Sequence, residues 1–171
     1  MSNTPDHIID MKPFYKHVGR CSAVEGTVAE VGLGEGHAAN SILSNAKCKA
    51  VDSFEINPIA VAHYKAQKAL DTRHKILEQN FITQPGSRKY SFIYIDTLYG
   101  DEASADNTIA ILEIAKTRLV KKGRIAVEFW ADDKSERRVR NWMKANLAEH
   151  ESERCGDRGM AKLYIKYWTV K

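Results

Sequence analysis

"VAEVGLGEGHAANSIL", residues 28–43, is the stretch on which the fold turns. An apolar run carries an acid, Glu30, near its end. Gly32, Gly34 and Gly36 follow at alternate positions, and apolar residues then return at helical spacing. Strand, glycine loop and helix in that order form the ligand-binding turn of open α/β sheets, where ligands sit outside the C-terminal strand ends. Two nucleotide loops can be tested against it. A phosphate loop of the GxxxxGK[ST] type needs a lysine after the glycines, and none follows. The dinucleotide fingerprint GxGxxG needs a small residue at position 37, where His37 stands. That fingerprint also brings backbone close to a pyrophosphate. The carboxylates of Glu30 and Glu35 are electrostatically wrong beside one.

Outward from this loop, apolar and amphipathic runs alternate. "GTVAEV" (26–31) reads as a strand and a helix follows from about Gly36 to Ala46. "KAVDSFE" (49–55) is a second strand, and Pro58 suits the first turn of the helix after it. "HKILEQ" (74–79) and "SFIYID" (91–96) are the third and fourth strands, the latter β-rich enough for burial on both faces. "NTIAILEIAKTRL" (107–119) has helical spacing, with Lys121, Lys122 and Gly123 expected to close that helix. "RIAVEFW" (124–130) is a fifth strand and "KSERRVRNWMKANL" (134–147) a helix whose arginines read as a solvated face. The segments around "GDRG" then form a β-hairpin. The expected product is an open, mostly parallel sheet with helices on both faces and one antiparallel edge. Residues 1–171 read as a single domain, with 1–22 a helical or lid segment ahead of the first strand.

The acids define the ligand. Glu55 closes the second strand, Glu78 lies late in the third, Asp96 closes the fourth and Glu128 falls late in the fifth. With Glu30, every parallel strand carries an acid near its C-terminal end, in a chain whose net charge is +4. A cation bearing hydroxyls suits that rim better than a polyanion. Glu55 also follows Gly32 at nearly the separation expected of an acid that binds ribose hydroxyls.

"VAEVGLGEG" resembles the first motif of class I S-adenosylmethionine-dependent methyltransferases, "VDSFEINP" the second and "EQNFI" the third, with "FIYIDTLYGDE" in the place of the fourth. The resemblance covers about residues 26–130. It implies a Rossmann-like three-layer sandwich whose seven-stranded sheet ends in an antiparallel hairpin, with S-adenosylmethionine as cofactor. It also implies roles. Glu30 faces the methionine ammonium, while Gly32, Gly34 and Gly36 admit the methionine and ribose portions. Glu55 accepts the ribose hydroxyls and Ile56 packs on adenine. Asn80, where the family often has Asp, and the Phe81 N–H bond the adenine edge. Asp96 lies beside the methionine end and the acceptor, and with Tyr99 is the candidate catalytic residue. "DTLY" matches the D/N-P-P-Y/F motif of amine methylating enzymes only at its ends, Asp96 and Tyr99.

The implied activity is methyl transfer to an unidentified acceptor, a small molecule or an exposed protein or RNA group. Three alternatives stand beside it. The spermidine synthase branch shares the fold and would use Asp101 and Glu102 to orient a cationic amine. A non-catalytic S-adenosylmethionine-binding protein would need only the cofactor residues. An NAD-dependent oxidoreductase is disfavoured by His37. Composition adds bounds: 43% hydrophobic and 28% charged residues describe an ordinary soluble globular chain. No apolar stretch approaches the roughly 18 residues of a membrane span. Cys21, Cys48 and Cys155 have no paired spacing, which suits a reducing cytoplasm, and the histidines show no metal-ligand spacing. The mild positive charge permits nucleic-acid contact without demanding it. Oligomeric state is not legible.

Overall fold

The computed structural model describes residue 18 and residues 24–67, 70–84, 86, 88–97, 100–129, 133–158 and 161–170. Strands and helices alternate along it: β1 (Gly26–Val31), α1 (His37–Leu43), β2 (Cys48–Glu55), α2 (Pro58–Gln67), β3 (His74–Glu78), β4 (Tyr90–Ile95), α3 (Glu102–Arg118), β5 (Leu119–Phe129), α4 (Lys134–Asn146), β6 (Leu147–Arg158) and β7 (Ala161–Val170). The strands form one sheet in the order β3-β2-β1-β4-β5-β7-β6. Pairing is parallel from β3 across to β5, and β7 runs antiparallel to both β5 and β6. This is the mostly parallel, seven-stranded, hairpin-ended sheet expected from the sequence. No helix among the described residues is long and apolar enough to cross a membrane.

Alternation along the central strands divides the core. Ala29, Val31, Ile93, Ile95, Ile125 and Val127 point to one face, where Ile111, Leu112 and Ala115 of α3 and Val139 and Met143 of α4 cover them. Val28, Val51, Phe92, Tyr94 and Ala126 point to the other, beneath Ala38, Ala39, Ile42 and Leu43 of α1. Both faces of β1 and β4 are therefore buried, which is why these strands read as continuous apolar runs. Trp142 packs half-buried against the first cluster, with the Lys116 ammonium 5.4 Å from its ring centroid. Trp130 lies outside the described residues.

The two ends of α3 depart furthest from the expectation. Helix α3 starts five residues early, at Glu102, because Asp101 caps it. The Asp101 carboxylate accepts the Ser104 N–H at 2.6 Å, and the Ser104 hydroxyl reaches back to the Asp101 backbone. This capping box specifies a polar first turn that apolar spacing alone cannot signal. At its other end the helix stops at Arg118, before the lysines and glycine assigned to close it. Leu119 is already extended (φ −79, ψ 145) and pairs with Tyr90 at the start of β5. The next pairing is Phe92 with Arg124, so residues 120–123 bulge out, and Lys122 adopts φ 66. Gly123 fits this bulge tightly, since a Cβ there would lie 3.0 Å from both the Leu119 side chain and the Val120 carbonyl.

The arginines of α4 do more than face solvent. Arg138 bridges Glu102 and Asp106 of α3, and Arg140 pairs with Glu136 while lying 5.0 Å from the Phe129 ring centroid. They tie α4 to its neighbours.

Candidate active site

The glycine loop leaves β1 between two fixed points. The Gly32 N–H donates to the Phe54 carbonyl at 3.0 Å, which holds the loop to β2. On the other side the Asp96 N–H donates to the Val31 carbonyl at 2.9 Å, which holds β1 to the end of β4. Gly32 has φ 90, and a Cβ on it would lie 2.3 Å from the Asp96 carbonyl oxygen. Gly36, which starts α1 with φ 73, would put a Cβ 2.0 Å from the Tyr64 ring. These two glycines are thus required by the protein's own packing before any ligand is considered. Gly34 differs: it has φ 48 and nothing within 4 Å of the Cβ position, so its backbone faces open space.

Glu55 organises the loop. Its Oε2 accepts the Leu33 N–H at 3.0 Å and the Gly34 N–H at 3.4 Å, while Oε1 accepts the Asn57 N–H at 2.8 Å. Beside it opens a cavity of about 500 Å³, its mouth included. Gly32, Glu55, Ile56, Asn80 and Phe81, all singled out in the sequence, line this one cavity. Ile56 is 71% exposed, an aliphatic side chain left at the mouth. Phe81 is buried edge-to-face on Phe54 at 4.9 Å, with the Arg118 guanidinium 4.6 Å from its centroid. Asn80 closes the turn beneath it by accepting the Ile82 N–H at 2.8 Å. Thr97, Asn107 and Ile111 line the same cavity and escaped the sequence reading. The last two come from α3, where their separation of four residues was the only available signal. Thr97 is fixed by a 3.0 Å hydrogen bond between its hydroxyl and that of Thr108.

Across the sheet from this cavity, on the α1 face, three of the five strand-end acids gather. Glu30 is fully buried; its Oε1 accepts the Ala39 N–H at 2.9 Å and its Oε2 the Ser53 hydroxyl. Ser53 is in turn 2.8 Å from His74 Nε2. Burial pushes the Glu30 carboxyl up to about 8, against the opposing pull of Ser53 and Ala39, and the charges of Asp96 and Glu55 add to the rise. Asp96 is raised by burial to about 6, and no hydrogen bond to its carboxylate exists among the described residues. Glu128 is buried and held up at about 8, first by burial and then by the Asp96 charge. The Tyr94 hydroxyl donates to its Oε2, whereas its Oε1 has no partner among the described residues. No described lysine or arginine pairs with any of the three.

The other acids separate from this group. Glu78 is exposed on the edge strand β3. Asp101 is engaged as the α3 cap, and Glu102 pairs with Lys134 and Arg138, so neither lines the cavity. His37 is exposed and bonds the Glu35 carboxylate at 3.0 Å. Tyr99, and the segment 1–22 apart from Val18, lie outside the described residues.

No family model matches the chain, and no curated protein matches it in sequence. Solved structures do match in fold. The N-methyltransferase NodS from Bradyrhizobium japonicum WM9 superposes with TM-score 0.72 at 12% identity, over 93% of this chain and 93% of that one. The glycopeptide N-methyltransferase MtfA, solved with S-adenosyl-L-methionine, gives TM-score 0.75 at 12% identity and covers 100% of both chains. The mitomycin 7-O-methyltransferase MmcR gives 0.72 at 14% identity, over 94% of this chain and 54% of its own. The fold is that of class I S-adenosylmethionine-dependent methyltransferases.

Proposed function

We propose that the chain is an S-adenosylmethionine-dependent methyltransferase. One observation carries the reading: Gly32, Glu55, Ile56, Asn80 and Phe81, drawn from three separate segments, meet at a single cavity at the C-terminal ends of the strands. The residues fit an adenosyl group. Ile56 offers an exposed aliphatic platform for a purine face, and Phe54 and Phe81 make an apolar floor. A carboxylate has about four acceptor sites, so Glu55 keeps capacity for a hydroxyl beyond the three amides it holds. The amide of Asn80 can meet a purine edge. Glu30 and Asp96, with no opposing cation among the described residues, suit an ammonium and a sulfonium. The same fold hosts N- and O-methylating proteins among its solved relatives, which agrees with a transferase.

When bound, the cofactor supplies an electrophilic methyl group. The protein's task is then to position the acceptor in line and to manage its proton. Asp96, raised to about 6, remains largely ionised near neutral pH and is able to take that proton. Tyr99 is assigned alongside it to orient the acceptor.

Calorimetry with S-adenosylhomocysteine against NAD tests the reading directly. The first is expected to bind and the second not. Glu55→Gln weakens the first by roughly 10-fold, the scale of one charge-assisted hydrogen bond. Uptake of NAD in preference, or no uptake of either compound, sinks the proposal. Transfer of a labelled methyl group into fractionated extract then identifies the acceptor and separates a transferase from a protein that only binds.

A further inference from the structure

We infer that Asp96 and Glu128 form a receiving site for a cationic amino group, which makes the acceptor an amine. This rests on the methyltransferase reading above and names its substrate class. Ile95 pairs with Val127, so Asp96 and Glu128 follow next in register on neighbouring strands. Strand spacing is about 4.8 Å, and alternation puts both side chains on the face of Tyr94. The Asp96 charge adds to burial in raising Glu128's preference for a proton, as expected of two carboxylates on neighbouring strand ends.

The decisive feature is Glu128 Oε1. The residue is 1% exposed, one carboxylate oxygen is engaged by Tyr94, and the other has no donor among the described residues. Buried acceptors are ordinarily paired, and an orphan calls for a donor that the described residues do not supply. The chemistry of that donor follows from its surroundings. A carboxylate or phosphate acceptor would meet three acids. A neutral hydroxyl would satisfy Oε1 and leave the repulsion with Asp96 unrelieved. A metal cage would need three or more converging ligands, and no such group forms among the described residues. An ammonium supplies several N–H donors and a positive charge together.

The transfer balances. The bound ammonium gives a proton to Asp96, and the freed nitrogen lone pair attacks the methyl carbon of the proposed cofactor. The C–N bond forms as the C–S bond breaks, and its electron pair returns to sulfur, leaving a neutral thioether. The methylated ammonium departs, and the Asp96 proton passes to solvent.

Ligand-observed NMR with n-butylammonium and 1-butanol, each with and without S-adenosylhomocysteine, tests the inference. The ammonium is expected to bind wild type at millimolar concentration and the alcohol not. Glu128→Gln is expected to weaken the ammonium at least 10-fold while changing S-adenosylhomocysteine affinity less than 3-fold. Equal binding of the two probes, no ammonium binding, or an E128Q protein that binds ammonium like wild type overturns it. If E128Q fails to fold, the comparison of the two probes on wild type decides alone. Ammonium selectivity without S-adenosylhomocysteine binding would sink the methyltransferase reading and leave this site standing.

Discussion

Replacing Glu30 with glutamine should reverse its sign of effect between pH 5 and pH 7. Glu30 is fully buried, with its carboxyl raised from 4.5 to about 8, chiefly by burial. Between those two pH values the folded chain keeps a proton that the unfolded chain has lost. Stability therefore falls as pH rises through this window, by about 1.4 kcal/mol per pH unit for one group. From pH 5 to pH 7 that amounts to about 3 kcal/mol in the wild type. Glutamine has the same shape and no proton to lose, so this contribution to the slope disappears. At pH 5 the variant is disfavoured, because its NH₂ brings two donors where the protonated carboxyl brings one, beside the Ala39 N–H and the Ser53 hydroxyl. One lost hydrogen bond costs about 1 kcal/mol. The variant should thus be about 1 kcal/mol less stable than wild type at pH 5 and about 2 kcal/mol more stable at pH 7, with the curves crossing near pH 6. Urea unfolding at half-unit pH intervals measures this. Glu128→Gln acts in the same direction, and the two effects will not add, because Asp96 raises both groups. A wild-type profile that stays flat or rises from pH 5 to pH 8, or an E30Q profile with an undiminished slope, refutes the reasoning.

The glycine loop gives a paired prediction. Gly36→Ala forces a Cβ to within 2.0 Å of the Tyr64 ring at φ 73 and should lower stability by about 2–4 kcal/mol in urea unfolding, combining left-handed strain with overpacking. Gly34→Ala, with open space around its Cβ and φ 48, should cost only about 1 kcal/mol and act chiefly on S-adenosylhomocysteine affinity in calorimetry. Asp101→Ala removes the α3 cap and should lower stability by about 1 kcal/mol, with Asp101→Asn restoring most of it.

The sequence carried the central strands plainly, because β1 and β4 are buried on both faces and must be apolar throughout. It carried the cavity for a related reason: each motif residue sits at or within three residues of a strand's C-terminal end, so chain position and spatial position coincide. It failed where structure is decided by one polar contact or by distant partners. The start of α3 depends on the reciprocal bonds of Asp101 and Ser104, within a turn that has no apolar spacing. The start of β5 depends on Leu119 pairing with Tyr90 across the sheet. Glu78 and Glu128 look alike in the chain, each late in a strand. They differ because β3 is the sheet edge and β5 lies inside it, a matter of strand order that no local pattern encodes. Glu30 is held by the Ala39 N–H and the Ser53 hydroxyl, partners from two different elements that no local pattern encodes.

Strand order also sets where the cavity and the acid face lie relative to each other. From β1 the chain first builds outward to β2 and β3, then crosses to the other side of β1 for β4 and β5. The loops after β1 and β4 consequently diverge, opening a crevice between them. The two ends remain joined at its base, where the Asp96 N–H meets the Val31 carbonyl and the Asp96 carbonyl approaches Gly32 too closely for any side chain. The cavity lies on the α3 side of this junction, and Glu30, Asp96 and Glu128 lie on the α1 side. A ligand that touches both must cross above Gly32. Asp96 stands at the junction itself: its backbone closes the glycine loop, and its carboxylate lies on the side of Glu30 and Glu128, where its charge raises both.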